Sequence, residues 1–144
     1  MSREAIQSAL FALLTDQRTG VAGLALASRR LKAPQDVGPG NCPALFQIYR
    51  GETVEWTSIQ PLKRVMHLEV VLYVHSGDKS FPTSSLLNPM LDSIDQAFGG
   101  GDPANVQTLG GLAKRVTING RIDTDEGLLG EYAYAVVPVE ILIP

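Results

Sequence analysis

Histidine, glutamate and tyrosine side chains on one predicted strand are the residues best suited to chemistry in this sequence. A strand predicted over residues 62–75 would carry four of them on a single face, namely His67, Glu69, Tyr73 and His75. His67 and Glu69 would be neighbours about 7 Å apart, near enough to act together on a proton or a metal ion. His75 lies too far along the strand to join them, and a metal site would need ligands from another strand. We therefore interpret this face as a polar surface that is turned to solvent or to another subunit.

Acidic side chains form a second group, at Asp123, Asp125 and Glu126. Their spacing resembles that of a calcium-binding loop, but Gly127 comes one position too early for the turn of such a loop, and the distal glutamate is missing. We interpret the group as a solvated acidic turn. A weak divalent-cation site at a subunit contact is the alternative.

Nucleophile and phosphate-binding motifs are missing from the sequence. Cys42 lies in a loop rich in proline and glycine, with no histidine beside it in the sequence to activate it. The triple glycine at 99–101 follows a predicted helix, whereas a phosphate-binding loop follows a strand and continues into Gly-Lys-Ser/Thr. The sequence therefore predicts no enzymatic activity, no cofactor and no metal.

The composition is that of one globular domain. The chain has 144 residues, of which 44% are hydrophobic and 19% charged, and a domain of this length can bury about 70% of the surface of its unfolded chain. A net charge of −3 argues against a protein that grips nucleic-acid phosphates, since that function requires a basic face. No apolar run reaches the roughly 20 residues of a membrane span. We expect a single domain over 1–144 with no membrane partner.

Hydrophobic periodicity predicts the elements that must position these residues. Apolar residues at helical spacing predict one helix over 2–15 and another that is capped by Ser84 or Ser85 and runs to about residue 98. The apolar stripe of the second helix is predicted to be Leu87, Met90, Leu91, Ile94, Ala97 and Phe98. Alternating apolar residues predict strands over 44–50 and 62–75, near 114–123 and over 131–143, and a further strand is compatible with 26–31. The predicted fold is α+β, a mostly antiparallel sheet of four to five strands with two main helices packed on one face.

Two predicted turns connect these strands. Gly51-Glu52 is expected to reverse the chain after the first strand, with the return beginning at 54–56. In the last third, either Asn119-Gly120 or the segment 123–130 could be the turn. We favour 123–130 because the apolar residues on either side of Gly120 then share one face, with Gly120 as a bulge or a site of close approach.

The C-terminal segment 132–144 is apolar on both faces of its predicted strand. Pro138 has no N–H to donate, so the strand is expected at an edge of the sheet or kinked there. An exposed apolar edge favours association with another subunit. The basic pair at 29–30 could form salt bridges across a subunit contact or could simply be solvated. The predicted subunit-interface residues are Arg29, Arg30, Val137, Val139, Ile141 and Ile143.

Four stretches of the sequence resemble the tail-terminator, or tail-completion, proteins of long-tailed bacteriophages, the group typified by the minor tail protein U of phage lambda. They are the opening helix from Arg3 to Leu14; Ser28-Arg29-Arg30-Leu31 with the Pro/Gly loop and Pro43-Ala44-Leu45-Phe46-Gln47 that follow; the strand 68–74 leading to the helix 87–98; and the ending Val136-Val137-Pro138-Val139-Glu140-Ile141-Leu142-Ile143-Pro144. The resemblance covers almost the whole chain and rests on the pattern and order of elements, without catalytic signatures.

This resemblance implies a structural role in the virion. It implies an α+β subunit, assembled in the host cytoplasm, that forms a sixfold ring on the head-proximal end of the tail tube. The ring stops tube polymerisation and offers the surface that joins the filled head, so the expected partners are copies of the chain itself, the tail tube protein and the head–tail connector or neck proteins. DNA passes through the lumen without specific binding, and six copies would carry a charge of about −18, which repels phosphates.

Other readings of the sequence remain open. Within the structural class, the chain could be another neck or head-completion protein or a tail tube subunit, because tube and terminator subunits can share a fold. In a different class, it could be a small-ligand-binding domain whose site is His67, Glu69 and Tyr73 on the sheet face. Closed rings from pure protein would favour the terminator, and open filaments a tube subunit.

Overall fold

The computed structural model describes residues 1–56, 58–59, 62–77, 80, 82–129 and 131–144, with the backbone alone for 127–129. Within these residues there are two α-helices and one six-stranded sheet. The predicted α+β class is confirmed, with six strands in place of four to five. In the described part of the chain, none of the helices is long and apolar enough to cross a membrane.

Helix α1 spans Arg3–Thr15 and confirms the helix predicted over 2–15. Ser2 caps its N-terminus, where the hydroxyl accepts a hydrogen bond of 3.2 Å from the backbone N–H of Ala5. The helix buries one stripe against the sheet, formed by Ile6, Leu10 and Leu14.

Helix α2 spans Ser84–Ala97 and packs on the same side of the sheet as α1. Its buried stripe consists of Leu87, Met90 and Ile94, continued by Phe98. The predicted stripe and end point are confirmed. The predicted serine cap is wrong, because the N-cap position is Thr83 and its side chain makes no capping hydrogen bond.

The sheet consists of β1 to β6 in the spatial order β1-β2-β3-β6-β4, with β5 also paired to β6. β1 runs parallel to β2 and all other pairs are antiparallel. The strands span Leu26–Ser28, Ala44–Glu55, Lys63–His75, Arg115–Ile118, Asp123–Leu129 and Tyr132–Leu142 in order from β1 to β6.

Strand β2 continues through the predicted turn at Gly51-Glu52, and that prediction is wrong. Opposite β3, Tyr49 pairs with Leu68 and Gly51 with His67, so Arg50 is an extra residue, a β-bulge. Gly51 has φ of 116°, which a glycine adopts without strain. The bulge lets β2 extend to Glu55 and makes β2–β3 one long hairpin.

Strand β6 lies inside the sheet, so the predicted edge position is wrong. One side of β6 pairs with β3, and the other side pairs with β4 over its C-terminal half and with β5 over its N-terminal half. The predicted turn at 123–130 is also wrong, because β5 occupies most of it; its last residue, Gly130, lies outside the described residues.

Pro138 explains why the outer strand is split into β4 and β5. The backbone N–H of Asn119 donates to the carbonyl of Pro138 over 3.2 Å, which shows that this edge of Pro138, the one without an N–H, faces the outer strand. The pairing of β6 with its outer neighbours is therefore interrupted at Pro138. Gly120, at φ of 124°, passes so close that a Cβ atom would stand 3.2 Å from the Pro138 ring. The predicted close approach at Gly120 is confirmed.

The sheet face opposite the helices is half covered. Residues 33–43 fold over it in two 3-10 turns, Pro34–Asp36 and Pro39–Asn41, and enclose a second apolar cluster around Phe46 and Tyr73. The Tyr73 hydroxyl donates to the Lys32 carbonyl and the Tyr132 hydroxyl to the Val37 carbonyl, both over 2.9 Å. The half of this face nearer the end of the β2–β3 hairpin stays polar.

Candidate assembly surface

The end of the β2–β3 hairpin is the most apolar exposed region among the described residues. Val54, Trp56, Ile59 and Leu62 are 49%, 75%, 92% and 39% exposed. They are exposed because the neighbouring strand ends early: β6 pairs with β3 only as far as Val65, and one further bond joins its continuation to Arg64. These four side chains therefore lie beyond the last residue pair of β3 with β6, and the described part of the chain leaves them largely uncovered.

A carboxylate fixes the base of this hairpin end to helix α1. Glu52 accepts hydrogen bonds from Arg3 on the helix and, over 3.1 Å, from the Tyr49 hydroxyl, and Arg64 lies 3.5 Å from its second oxygen. The bond from Arg3, more than any other contact, lowers the pKa of Glu52 from its ordinary value. This cluster links the end region of β2 to the start of α1 and to β3.

His67 contacts other strands, and not Glu69. Its Nε2 lies 2.7 Å from the Thr53 hydroxyl, and its Nδ1 lies 3.6 Å from Glu140. The other oxygen of Glu140 accepts a hydrogen bond of 2.7 Å from the Asn119 amide. The four side chains form one polar chain across β2, β3, β6 and the end of β4.

The other predicted polar residues have separate partners. Glu69 pairs with Arg50 over 3.0 Å, and His75 with Glu131 over 2.9 Å. Tyr73 is buried in the second apolar cluster, so it does not share a site with His67 and Glu69. The expectation that His75 lies too far away is confirmed. Among the described residues, no three histidine, cysteine or acidic side chains are placed to hold a metal ion.

The acidic group at 123–126 has structural partners in the described chain. Glu126 accepts hydrogen bonds from the backbone N–H of Ser84, over 3.1 Å, and from the Ser84 hydroxyl, over 2.7 Å. It therefore caps the N-terminus of α2, where the helix dipole favours a negative charge. The bonds from Ser84 lower the pKa of this carboxyl. Asp123 pairs with Arg121 over 2.9 Å, and the predicted solvated turn is instead part of strand β5.

The predicted interface residues separate into two groups. Val137, Val139, Ile141 and Ile143 are buried against the helices in the core of the chain itself. Because β6 is an interior strand, they cannot contact a neighbouring subunit while the domain is folded, and that part of the prediction is wrong.

Arg29 and Arg30 lie at the surface after β1. Arg29 binds the carboxylate of Glu4 and, over 2.9 Å, the side-chain oxygen of Gln7, so it ties this segment to helix α1. The bond from Arg29 is the main reason that the pKa of Glu4 is lowered. Arg30 is exposed, and its role at an interface stays a prediction.

Cys42 is half-buried at the end of a 3-10 turn. Burial raises the pKa of its thiol, so it forms the nucleophilic thiolate less readily than an exposed cysteine.

Sequence reasoning missed the hairpin end because it placed the turn at Gly51-Glu52. A signal was present: four large apolar side chains, Val54, Trp56, Ile59 and Leu62, fall within nine residues around the junction of the two strands, where turn residues are expected. Because β2 runs to Glu55 and β3 begins at Lys63, that excess of apolar residues around the two strand ends predicts a contact surface.

Comparison with known proteins gives information about the fold and not about the function. No protein-family model and no curated protein matches the sequence. A solved structure superposes on this chain with a TM-score of 0.54 at 18% identity, over 100% of this chain and 96% of the other. The name of that protein describes no function. The likeness therefore shows that the α+β arrangement of the whole chain occurs elsewhere.

Proposed function

We propose that this chain is a structural subunit of a bacteriophage tail that forms a ring on the head-proximal end of the tail tube. The ring of six copies stops polymerisation of the tube and forms the joining surface for the head. Its partners are other copies of itself, the tail tube protein below and the neck proteins above, and DNA passes through its lumen.

The observation that carries the proposal is the exposed apolar end of the β2–β3 hairpin. A protein that worked alone would gain nothing from large apolar side chains held beyond its sheet, whereas a subunit of an assembly buries them against a partner. The ion pairs of Glu52 at the base of the hairpin hold this surface in one orientation, as a contact that must repeat around a ring requires.

Two further features support the same proposal. The α+β fold, with both helices on one face of the sheet, is the fold that the resemblance to tail terminators implies. The net charge of −3 per chain makes an assembled ring strongly acidic, and an acidic ring resists adhesion of the DNA that must slide through it.

The first experiment measures assembly directly. The purified chain is run on a sizing column with light scattering over a range of concentrations, and the oligomer is imaged by negative stain. It is then mixed with tail tubes that lack a terminator. We expect closed rings with a central hole, and single rings at one end of each tube.

Two outcomes would contradict the proposal. Open filaments of the pure chain would identify a tube subunit, because a head-to-tail contact that fails to close propagates. A chain that stays monomeric at every concentration and does not bind to tube ends would remove the structural role altogether.

A further inference from the structure

A small cavity lies between the C-terminal ends of the two helices. Leu13 and Ala97 provide apolar walls, and Thr19, Ser93 and Gln96 add hydroxyl and amide groups around a volume of about 360 Å³. Cavities that bind small ligands measure about 300–1,000 Å³, so this one lies at the lower end of that range and suits a single aromatic group.

Opposite charges stand beside this cavity and beside the hairpin end. Arg18 lines the cavity with a side chain that is 93% exposed, and its one ion pair among the described residues is a loose contact of 4.0 Å with Asp16. Glu55 precedes Trp56 on the hairpin, is exposed, and has no ion-pair partner in the part of the chain that the structure describes.

The cavity and the hairpin end lie at opposite ends of the molecule. Arg3, at the start of α1, binds Glu52 at the base of the hairpin, whereas the cavity adjoins Leu13 near the end of the same helix. A helix of 13 residues is about 20 Å long. One copy can therefore not fill its own cavity, but a neighbour placed head to tail can, and such a contact generates a ring when its rotation closes.

We propose that Trp56 of one copy inserts into the helix-end cavity of a second copy, with Glu55 paired to Arg18 across the contact. This inference rests on the proposed function as a ring. The indole ring contributes a large apolar surface, and its N–H finds acceptors among the polar groups of the cavity. A central aromatic anchor beside a charged pair at the rim is the usual anatomy of a strong subunit contact.

The chain reports on this contact by itself, because Trp56 is its one tryptophan. Emission and acrylamide quenching of the wild-type chain are measured in isolated rings, in the dilute chain and in the urea-unfolded chain. We expect a blue-shifted emission in the rings and a quenching constant several-fold below that of the unfolded chain.

Variants then identify the two halves of the contact. Trp56→Ala should weaken self-association at least roughly 30-fold, as for a central anchor, while Leu112→Ala, at an exposed apolar residue elsewhere, should leave it unchanged. Glu55→Arg and Arg18→Glu should each weaken it by about 3- to 10-fold, and the double variant should recover most of the loss. Sedimentation velocity gives the constants.

The outcomes separate this inference from the proposed function. Rings in which Trp56 is as accessible as in the unfolded chain, or charge reversals that do not rescue each other, overturn the inference and leave the ring in place. A chain that forms no ring, alone or on tail tubes, overturns both.

Discussion

Residues 139–144 provide the most direct test of the sheet topology, because two hypotheses predict opposite results for their deletion. If they formed an exposed edge, the truncated chain would stay folded and lose only its subunit contacts. In the structure, Val139, Ile141 and Ile143 are 1%, 0% and 7% exposed, and this stretch pairs with β3 on one side and with all of β4 on the other. We therefore expect the truncated chain to unfold.

The expected loss of stability follows from the burial of those three side chains. Burying one valine or isoleucine fully is worth about 1.5–3 kcal/mol, so their loss costs about 5–9 kcal/mol. The free energy of unfolding of an ordinary domain is about 5–15 kcal/mol. The deletion also leaves β4 without a partner strand, so the total cost reaches the whole stability of the domain.

Circular dichroism and urea denaturation measure the result. The truncated chain should lack the near-ultraviolet signal and the cooperative urea transition of the full chain, whereas deletion of the exposed Pro144 alone should change neither. Ile141→Ala is the graded version and should lower the free energy of unfolding by about 2–5 kcal/mol. A cooperative transition of the truncated chain near the full-length midpoint would refute the interior position of β6.

Three further predictions test single contacts. Folding lowers the pKa of Glu126 from its ordinary 4.5, so this carboxylate stabilises the fold fully above pH 4.5 and less as the pH falls through the lower folded value. Glu126→Gln keeps an acceptor for Ser84 but does not titrate, so it should flatten the decline in stability below pH 4.5 that thermal melts measure. An unchanged decline would contradict the capping role. Gly99→Ala should lower the free energy of unfolding in urea by about 1–3 kcal/mol more than Gly101→Ala does. Both glycines have positive φ, but only at Gly99 would a Cβ stand 2.0 Å from a backbone oxygen. Equal losses for the two variants would contradict this packing. Tyr73→Phe removes the hydroxyl that donates to the Lys32 carbonyl, directly before the 33–43 loop. The change should cost about 0.5–1.5 kcal/mol and speed hydrogen exchange at the start of that loop, whereas unchanged exchange there would show that this bond does not hold it.

The helices could be predicted from the sequence because their signals are local. Apolar residues at helical spacing, Ser2 before the first helix and three glycines after the second are all read within a few residues. Strand β3 was equally clear, since five alternate side chains from Met66 to Val74 all face the core.

The hairpin and β6 could not be predicted in the same way because their structure depends on distant partners. A glycine followed by a polar residue is compatible with both a turn and a bulge, and only the pairing of β2 with β3 decides for the bulge at Arg50. Pro138 is compatible with an edge or with a gap in the neighbouring strand, and only the arrival of β4 and β5 on the same side of β6 decides for the gap.

The distribution of partners over the surface indicates where an assembly would gain most of its free energy. On the polar half of the sheet, His67, Glu69 and Glu140 already have partners within the chain, so a neighbour placed there would exchange existing contacts for new ones. At the hairpin end, Trp56 and Ile59 are 75% and 92% exposed, so a neighbour placed there mainly displaces water. The gain from burial is therefore concentrated at the hairpin, and replacing His67 would change the strength of a ring far less than replacing Trp56.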